Sequence, residues 1–341
     1  MRIRNGLIAV LMAIVCFAVC ERAAAQGSWA VEKTLHIGGE GGWDYVTLDA
    51  KAHRLYIPRS THTMVIDADS GATVADIPGQ KHNHGVALVP DTGRGFITDG
   101  SGAVVIFDLK TNAVLGTLTT HQDADGIIYD AASGLVIAVS GDDGVMMTVK
   151  PNVDPKSGSM DPDIALGGKP EFLASDGAGK IYVNLVDKSE VAVVDIKARK
   201  VLAHWPTAPG GAPVGLSIDT AKHRLFVGCR NPQKLIVMST DDGKVVADLP
   251  IGAGVDATRF DGHQAFASCR DGKLEVAGEN AGKFEIQQTV TTPVGARTMD
   301  VDPDGHKVYL ATAEFEEQKP GATGRPAAKP GTFMIVVVAR H

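Results

Sequence analysis

Val46-Thr47-Leu48-Asp49, Arg54-Leu55-Tyr56-Ile57, Met64-Val65-Ile66-Asp67 and Ala72-Thr73-Val74-Ala75-Asp76-Ile77 follow one another in a single short stretch. Each is a run of β-branched and aromatic residues closed by a polar turn, as in four strands of one small antiparallel sheet. The pattern repeats. The large residue of the second run recurs as Tyr56, Phe96, Ile137, Tyr182, Phe226, Phe266 and Tyr309, with successive spacings of 40, 41, 45, 44, 40 and 43. The third run recurs as Val104-Val105-Ile106-Phe107-Asp108 and Val191-Ala192-Val193-Val194-Asp195. Between third and fourth runs stand Asp-Ser-Gly at 69–71 and Asp-Asp-Gly at 241–243, which are hairpin turn residues. Seven units of about 42 residues, each of four short strands, predict an all-β fold: a seven-bladed β-propeller.

The last unit lacks a fourth strand, because its third, Thr332 to Val338, nearly reaches the end of the sequence. A spare strand, Trp29 to Ile37, stands at the other end. The two are expected to join, so that the N-terminal strand closes the last blade and hides the sheet edges an open array would expose. Residues 26–341 then form one domain. Glu314 to Gly331, rich in Pro, Ala, Gly and charge, is expected as a mobile loop within the last blade. A smaller insertion, Pro151 to Pro162, extends the third unit.

Composition is consistent with this and removes other classes. Of 341 residues 39 are Gly, but without a three-residue period, so collagen is excluded. A hydrophobic content of 44% excludes wholesale disorder. The formal net charge of -7 argues against general phosphate affinity, so nucleic acid is not an expected partner. Arg2 and Arg4 precede an apolar run from Leu7 to Val19, and Ala23-Ala24-Ala25 supplies a small-residue cleavage site. Residues 1–25 therefore read as a signal peptide, and the mature chain as periplasmic or secreted. Cleavage would take the net charge from -7 to -9 by removing Arg2, Arg4, Arg22 and Glu21. The mature chain is expected to be a monomer with no membrane span.

The runs Arg54-Leu55-Tyr56-Ile57, Lys180-Ile181-Tyr182-Val183-Asn184 and Lys307-Val308-Tyr309-Leu310 resemble the core motif of the YVTN-repeat, YncE-like propellers. Val65-Ile66-Asp67 and Gly116-Thr117-Leu118 fit the second half of that repeat. The resemblance spans residues 29–341. It implies architecture and export much more than chemistry. In such repeats a Pro opens the first strand, about 12 residues before the large second-strand residue. The matching positions here are Asp44, His84, Asp125, Pro170 with Glu171 beside it, Val214, Asp256 (after allowing for a shorter turn) and Arg297.

First strands line a propeller's channel, so this ring places four carboxylates, an imidazole and a guanidinium at one mouth. Two readings stay open there: a ligand site built from Asp44, His84, Asp125, Glu171, Asp256 and Arg297, or a solvated rim. As a ligand site it suits a small polar ligand or a protein partner. It also suits a divalent cation, with Asp44, His82, His84, Glu171 and Asp256 as candidate ligands. No G-x-S-x-G, P-loop, H-E-x-x-H or C-x-x-C-H motif occurs, which favours a binding module over an enzyme. The alternative is a metal-dependent lactonase, other hydrolase or lyase, with the carboxylates on the metal and a carboxylate or His84 as base.

His53, His223 and His306 each stand three residues before a large second-strand residue, and this regularity assigns them to turns. Trp43 and Trp205 are expected to pack. Cys229 and Cys269 lie at equivalent positions of neighbouring blades, about 10 Å apart against a disulfide limit near 7 Å, so free thiols are expected. The following Arg230 and Arg270 are expected to lower the thiol pKa values.

Overall fold

The computed structural model describes residues 27–318 and 324–341. The expected signal segment lies outside them. The described strands form seven four-stranded antiparallel sheets arranged as consecutive blades. The first strand of each blade faces the channel: Thr47–Asp49, Asn83–Val89, Ala124–Asp130, Pro170–Ser175, Pro213–Asp219, Val255–Phe260 and Thr298–Asp302. No helix among the described residues is long and apolar enough to cross a membrane.

Closure happens where the sequence placed it. Trp29–His36 pairs antiparallel with Met334–Arg340, from Trp29 opposite Arg340 to His36 opposite Met334. Trp29 also ties this blade to the sixth one. Its ring meets Phe266 edge-on at 4.9 Å, and its Nε1–H donates to Gln264 at 2.8 Å. The large second-strand residues that set the repeat, Tyr56, Phe96, Ile137, Tyr182, Phe226, Phe266 and Tyr309, are all buried. They fill the wedges between adjacent blades, where burial of apolar area supplies the main stabilisation.

The turn histidines have a backbone reason. His53, His223 and His306 adopt φ of 52°, 57° and 49°, and the same slot in three other blades holds Gly93, Gly134 and Gly179, also at positive φ. The slot demands a left-handed residue, which His tolerates better than most. His53 and His223 then bond Asp69 and Asp241 at 3.0 and 2.7 Å.

The described part of the last-blade insertion forms a small hairpin. Phe315 bridges Ala328, the Glu316 N–H donates to the Ala327 carbonyl, and the Lys329 N–H donates to that of Glu314. Phe315 lies over Gly295, where φ is 89° and a Cβ would collide with the ring.

Candidate ligand site at the channel mouth

Five of the first strands carry a bulge at their entrance. The register breaks between Asn83 and Val86, Ala124 and Ile127, Pro170 and Leu173, Pro213 and Gly215, and Val255 and Ala257. The breaks contain His84, Asp125, Glu171, Val214 and Asp256, the positions singled out by counting back along the repeat. A bulge leaves its residue out of the ladder and re-aims its side chain, a device common beside functional sites. Asp44 and Arg297 precede the first strands of the first and seventh blades.

Asp44, His84 and Asp125 come together. One potential ligand atom from each lies within 4.8 Å of the others. His84 Nδ1 is 2.7 Å from Asp44 Oδ2 and 3.5 Å from Asp125 Oδ1. His82 stands edge-on to His84, its Nδ1 3.2 Å from His84 Nε2. Gly100 lies against both imidazoles, and a Cβ there would stand 2.9 Å from His84 and 3.0 Å from His82. Tyr45 donates its hydroxyl to Glu171 at 3.5 Å, and its ring packs on Phe172. Deeper in the channel, Arg259 pairs with Asp300 at 2.9 Å beside a cavity of about 360 Å³.

The electrostatics of this half are acidic and strained. Burial, then the charges of Glu171, Asp44 and Asp123, push the Asp125 carboxyl well above the usual carboxylate range. Its buried Oδ1 has no hydrogen-bond partner. Burial also raises Glu171, only partly opposed by Arg230. Burial works against charge on His84, but its bond to Asp44 and the nearby carboxylates outweigh this and hold the imidazole above its ordinary value.

Asp256 is not part of that cluster. It lies on the other side of the ring, gripped by Arg230 and by Arg297, the latter at 2.7 Å. Ring order explains this, because the fifth, sixth and seventh blades supply the arginines and the first three supply the cluster. Of the five residues read as metal ligands, Asp44 and His84 therefore converge, His82 and Glu171 lie alongside, and Asp256 is committed elsewhere. Asp125, read only as a rim residue, takes the third place.

Sequence reasoning missed Tyr45, Asp123, Arg230 and Arg270 at this mouth. Arg230 ends the second strand of its blade and Arg270 directly follows that of the next, four residues after Phe226 and Phe266, and second-strand ends reach the same face as first-strand entrances. That offset was the available signal. Their assignment to the thiols needs correction. The side chain of Arg230 turns to Asp256 and the Val255 carbonyl, away from Cys229. Both cysteines are free and buried, as expected, but burial pushes their thiols up, Cys229 to about 12. Trp43 and Trp205 pack as expected, on Phe333 at 5.5 Å and Tyr182 at 5.8 Å.

The fold and mouth define a seven-bladed propeller with a polar, charge-divided channel entrance. No family model matches the chain. Among curated proteins it is similar to the uncharacterized protein YncE of Salmonella typhi, 23% identical over 249 residues, or 65% of this chain and 66% of that one. YncE of Escherichia coli O157:H7 is 24% identical over 240 residues, with the same coverage. The match thus spans slightly under two thirds of these relatives. The resemblance to YVTN-repeat propellers is borne out. Among solved structures, the WD40 propeller domain of Doa1 superposes with a TM-score of 0.71 at 12% identity, covering 92% of this chain and 97% of that one. Kuenenia stuttgartiensis hydrazine synthase gives 0.68 at 13%, covering 81% and 94%. At such identities these structures speak to fold alone.

Proposed function

We propose that this chain is an exported binding module whose ligand site is the channel mouth, and that the site holds a divalent cation at Asp44, His84 and Asp125. The observation that carries this reading is the convergence of the three side chains, with a buried Asp125 oxygen that has no hydrogen-bond partner. A cation would compensate the crowded carboxylates. Two carboxylates and one imidazole suit zinc or another first-row metal better than calcium, which prefers an all-oxygen shell. Three protein ligands leave further positions open for a small polar ligand. The commitment of Asp256 to two arginines supports binding over the hydrolase alternative, which needed it on the metal. Export rests on the charged, apolar and small-residue pattern of residues 1–25.

Calorimetric titration of tag-free, chelator-treated protein with zinc, manganese and calcium tests this. The reading expects close to one equivalent of a transition metal bound, with binding lost in His84→Gln and Asp125→Asn. Absence of both binding heat and any thermal shift with all three metals would refute it.

A further inference from the structure

The other half of the mouth is basic. Arg297 and Arg325 lie close enough to Arg230 and Arg270 for their charges to add to burial in lowering the pKa values of those two. One carboxylate, Asp256, is shared by Arg230 and Arg297. Among the described residues neither Arg270 nor Arg325 has an ion-pair partner. Arg270 is half-buried, and burial followed by the charges of Arg297, Arg325 and Arg230 pushes it down to about 10. A guanidinium in that setting stays charged at neutral pH, without a counter-charge and beside three like charges.

A pocket of about 180 Å³ opens at this spot. Arg270, Arg297 and Arg325 line it together with Trp43 and Phe315. The volume is several times the space of one water molecule and fits a tetrahedral or planar oxyanion with a short organic stem. Apolar aromatic walls lower the local dielectric and strengthen any ion pair formed inside. Guanidinium forks match phosphate and carboxylate oxygens in pairs, which a lysine cluster would not. The hairpin that joins Phe315 to Ala328 brings Arg325 to the pocket, so the last-blade insertion forms one wall.

We infer that this pocket binds the phosphate or carboxylate group of a small soluble ligand, with Arg270 as its principal anchor. The inference does not depend on the cation. Gly42 and Trp43 line the pocket, and the next residue, Asp44, enters the carboxylate cluster, so the two sites share one loop. A ligand with an anionic end could span both, and its anionic end would sit at the arginines.

The test uses chelator-treated protein in phosphate-free buffer, titrated with inorganic phosphate and separately with citrate at constant ionic strength held by chloride. The expected result is saturable binding near one equivalent, with a rise in melting temperature that chloride alone does not give. Preference for phosphate or for citrate assigns the anionic group. Arg270→Gln should weaken binding at least tenfold, and its unliganded form should melt no lower than the parent because like-charge crowding is relieved. Arg325→Gln, on the hairpin, should weaken binding without loss of fold. The inference is overturned if neither anion binds saturably, or if Arg270→Gln binds like the parent. Because the metal is stripped throughout, failure of the cation reading would leave this result standing.

Discussion

Asp125→Asn should make the metal-free protein more stable. In the parent, ionised Asp125 lies within 4.8 Å of an oxygen of Asp44. At an effective dielectric of 20 that repulsion is about 3.5 kcal/mol. His84, whose Nδ1 is 3.5 Å from the Asp125 oxygen and whose imidazole is held above its ordinary value, opposes this in its protonated form. Burial and the charges of Glu171 and Asp123 add to the penalty, and the Arg230 charge only partly opposes them. The carboxyl can escape by taking up a proton, which sets a ceiling. Against an ordinary value of 3.8, protonation at pH 7 costs about 4.4 kcal/mol, at 1.36 per unit. The amide keeps the volume and needs no proton, so the variant should gain about 2 kcal/mol at pH 7 and no more than about 4. The sign of the pH dependence follows. A carboxyl raised in the folded state contributes full stability below its unfolded value and loses it as pH rises through the folded value. The gain of Asp125→Asn should therefore be absent near pH 4 and grow toward neutrality. Urea unfolding in chelator at several pH values measures this. A variant no more stable than the parent at pH 7, or a gain independent of pH, would refute the reasoning. Saturating metal should reverse the order by stabilising only the parent.

Three further outcomes are expected. Arg59 is fully buried and donates to the carbonyls of Gly38, Gly41 and Gly42 while stacking on Phe333 at 3.9 Å, so Arg59→Met should lose about 3 kcal/mol in a urea melt, and a loss below about 1 would contradict the clamp. Burial would raise Asp99 and Asp130, but hydrogen bonds dominate: backbone N–H groups of Ser101, Lys81 and His82 hold Asp99 below the usual range, and Ser133 and Ser175 hold Asp130. Their contribution is present above the unfolded value and lost as pH falls through the folded one, so Asp99→Ala and Asp130→Ala should flatten the stability curve below about pH 4, and an unchanged acid limb would count against them. Cys229 and Cys269 should not react with a disulfide reagent until the chain unfolds, and fast native labelling of either would contradict their buried, raised thiols.

The architecture was legible because a propeller repeats its packing. Each blade needs one large residue in its second strand to fill the wedge against a neighbour, and the spacing from Tyr56 to Tyr309 records that need seven times. Closure was legible as arithmetic of missing and spare strands. The mouth was half legible. Counting back along the repeat found the bulge residues, because the bulge is itself part of the repeat. It did not find which bulge residues meet. That depends on ring order, which puts Asp44, His84 and Asp125 on consecutive blades and Asp256 between two arginines. Arg230 and Arg270 escaped because their place at the second-strand end is structurally equivalent but chemically different from blade to blade, with Ser60, Gly100 and Ala313 in the same slot. Tyr45 and Asp123 sit beside ring positions, where only the local turn decides which neighbour points inward.

The central claim, a cation held at the channel mouth, is tested most directly by anomalous diffraction from a zinc-soaked crystal of tag-free protein. The account predicts a metal peak bonded to oxygens of Asp44 and Asp125 and to His84 Nδ1 at about 2.0–2.2 Å. A peak only elsewhere, for example at His121 between Asp143 and Asp163, or no peak at the mouth, would contradict it.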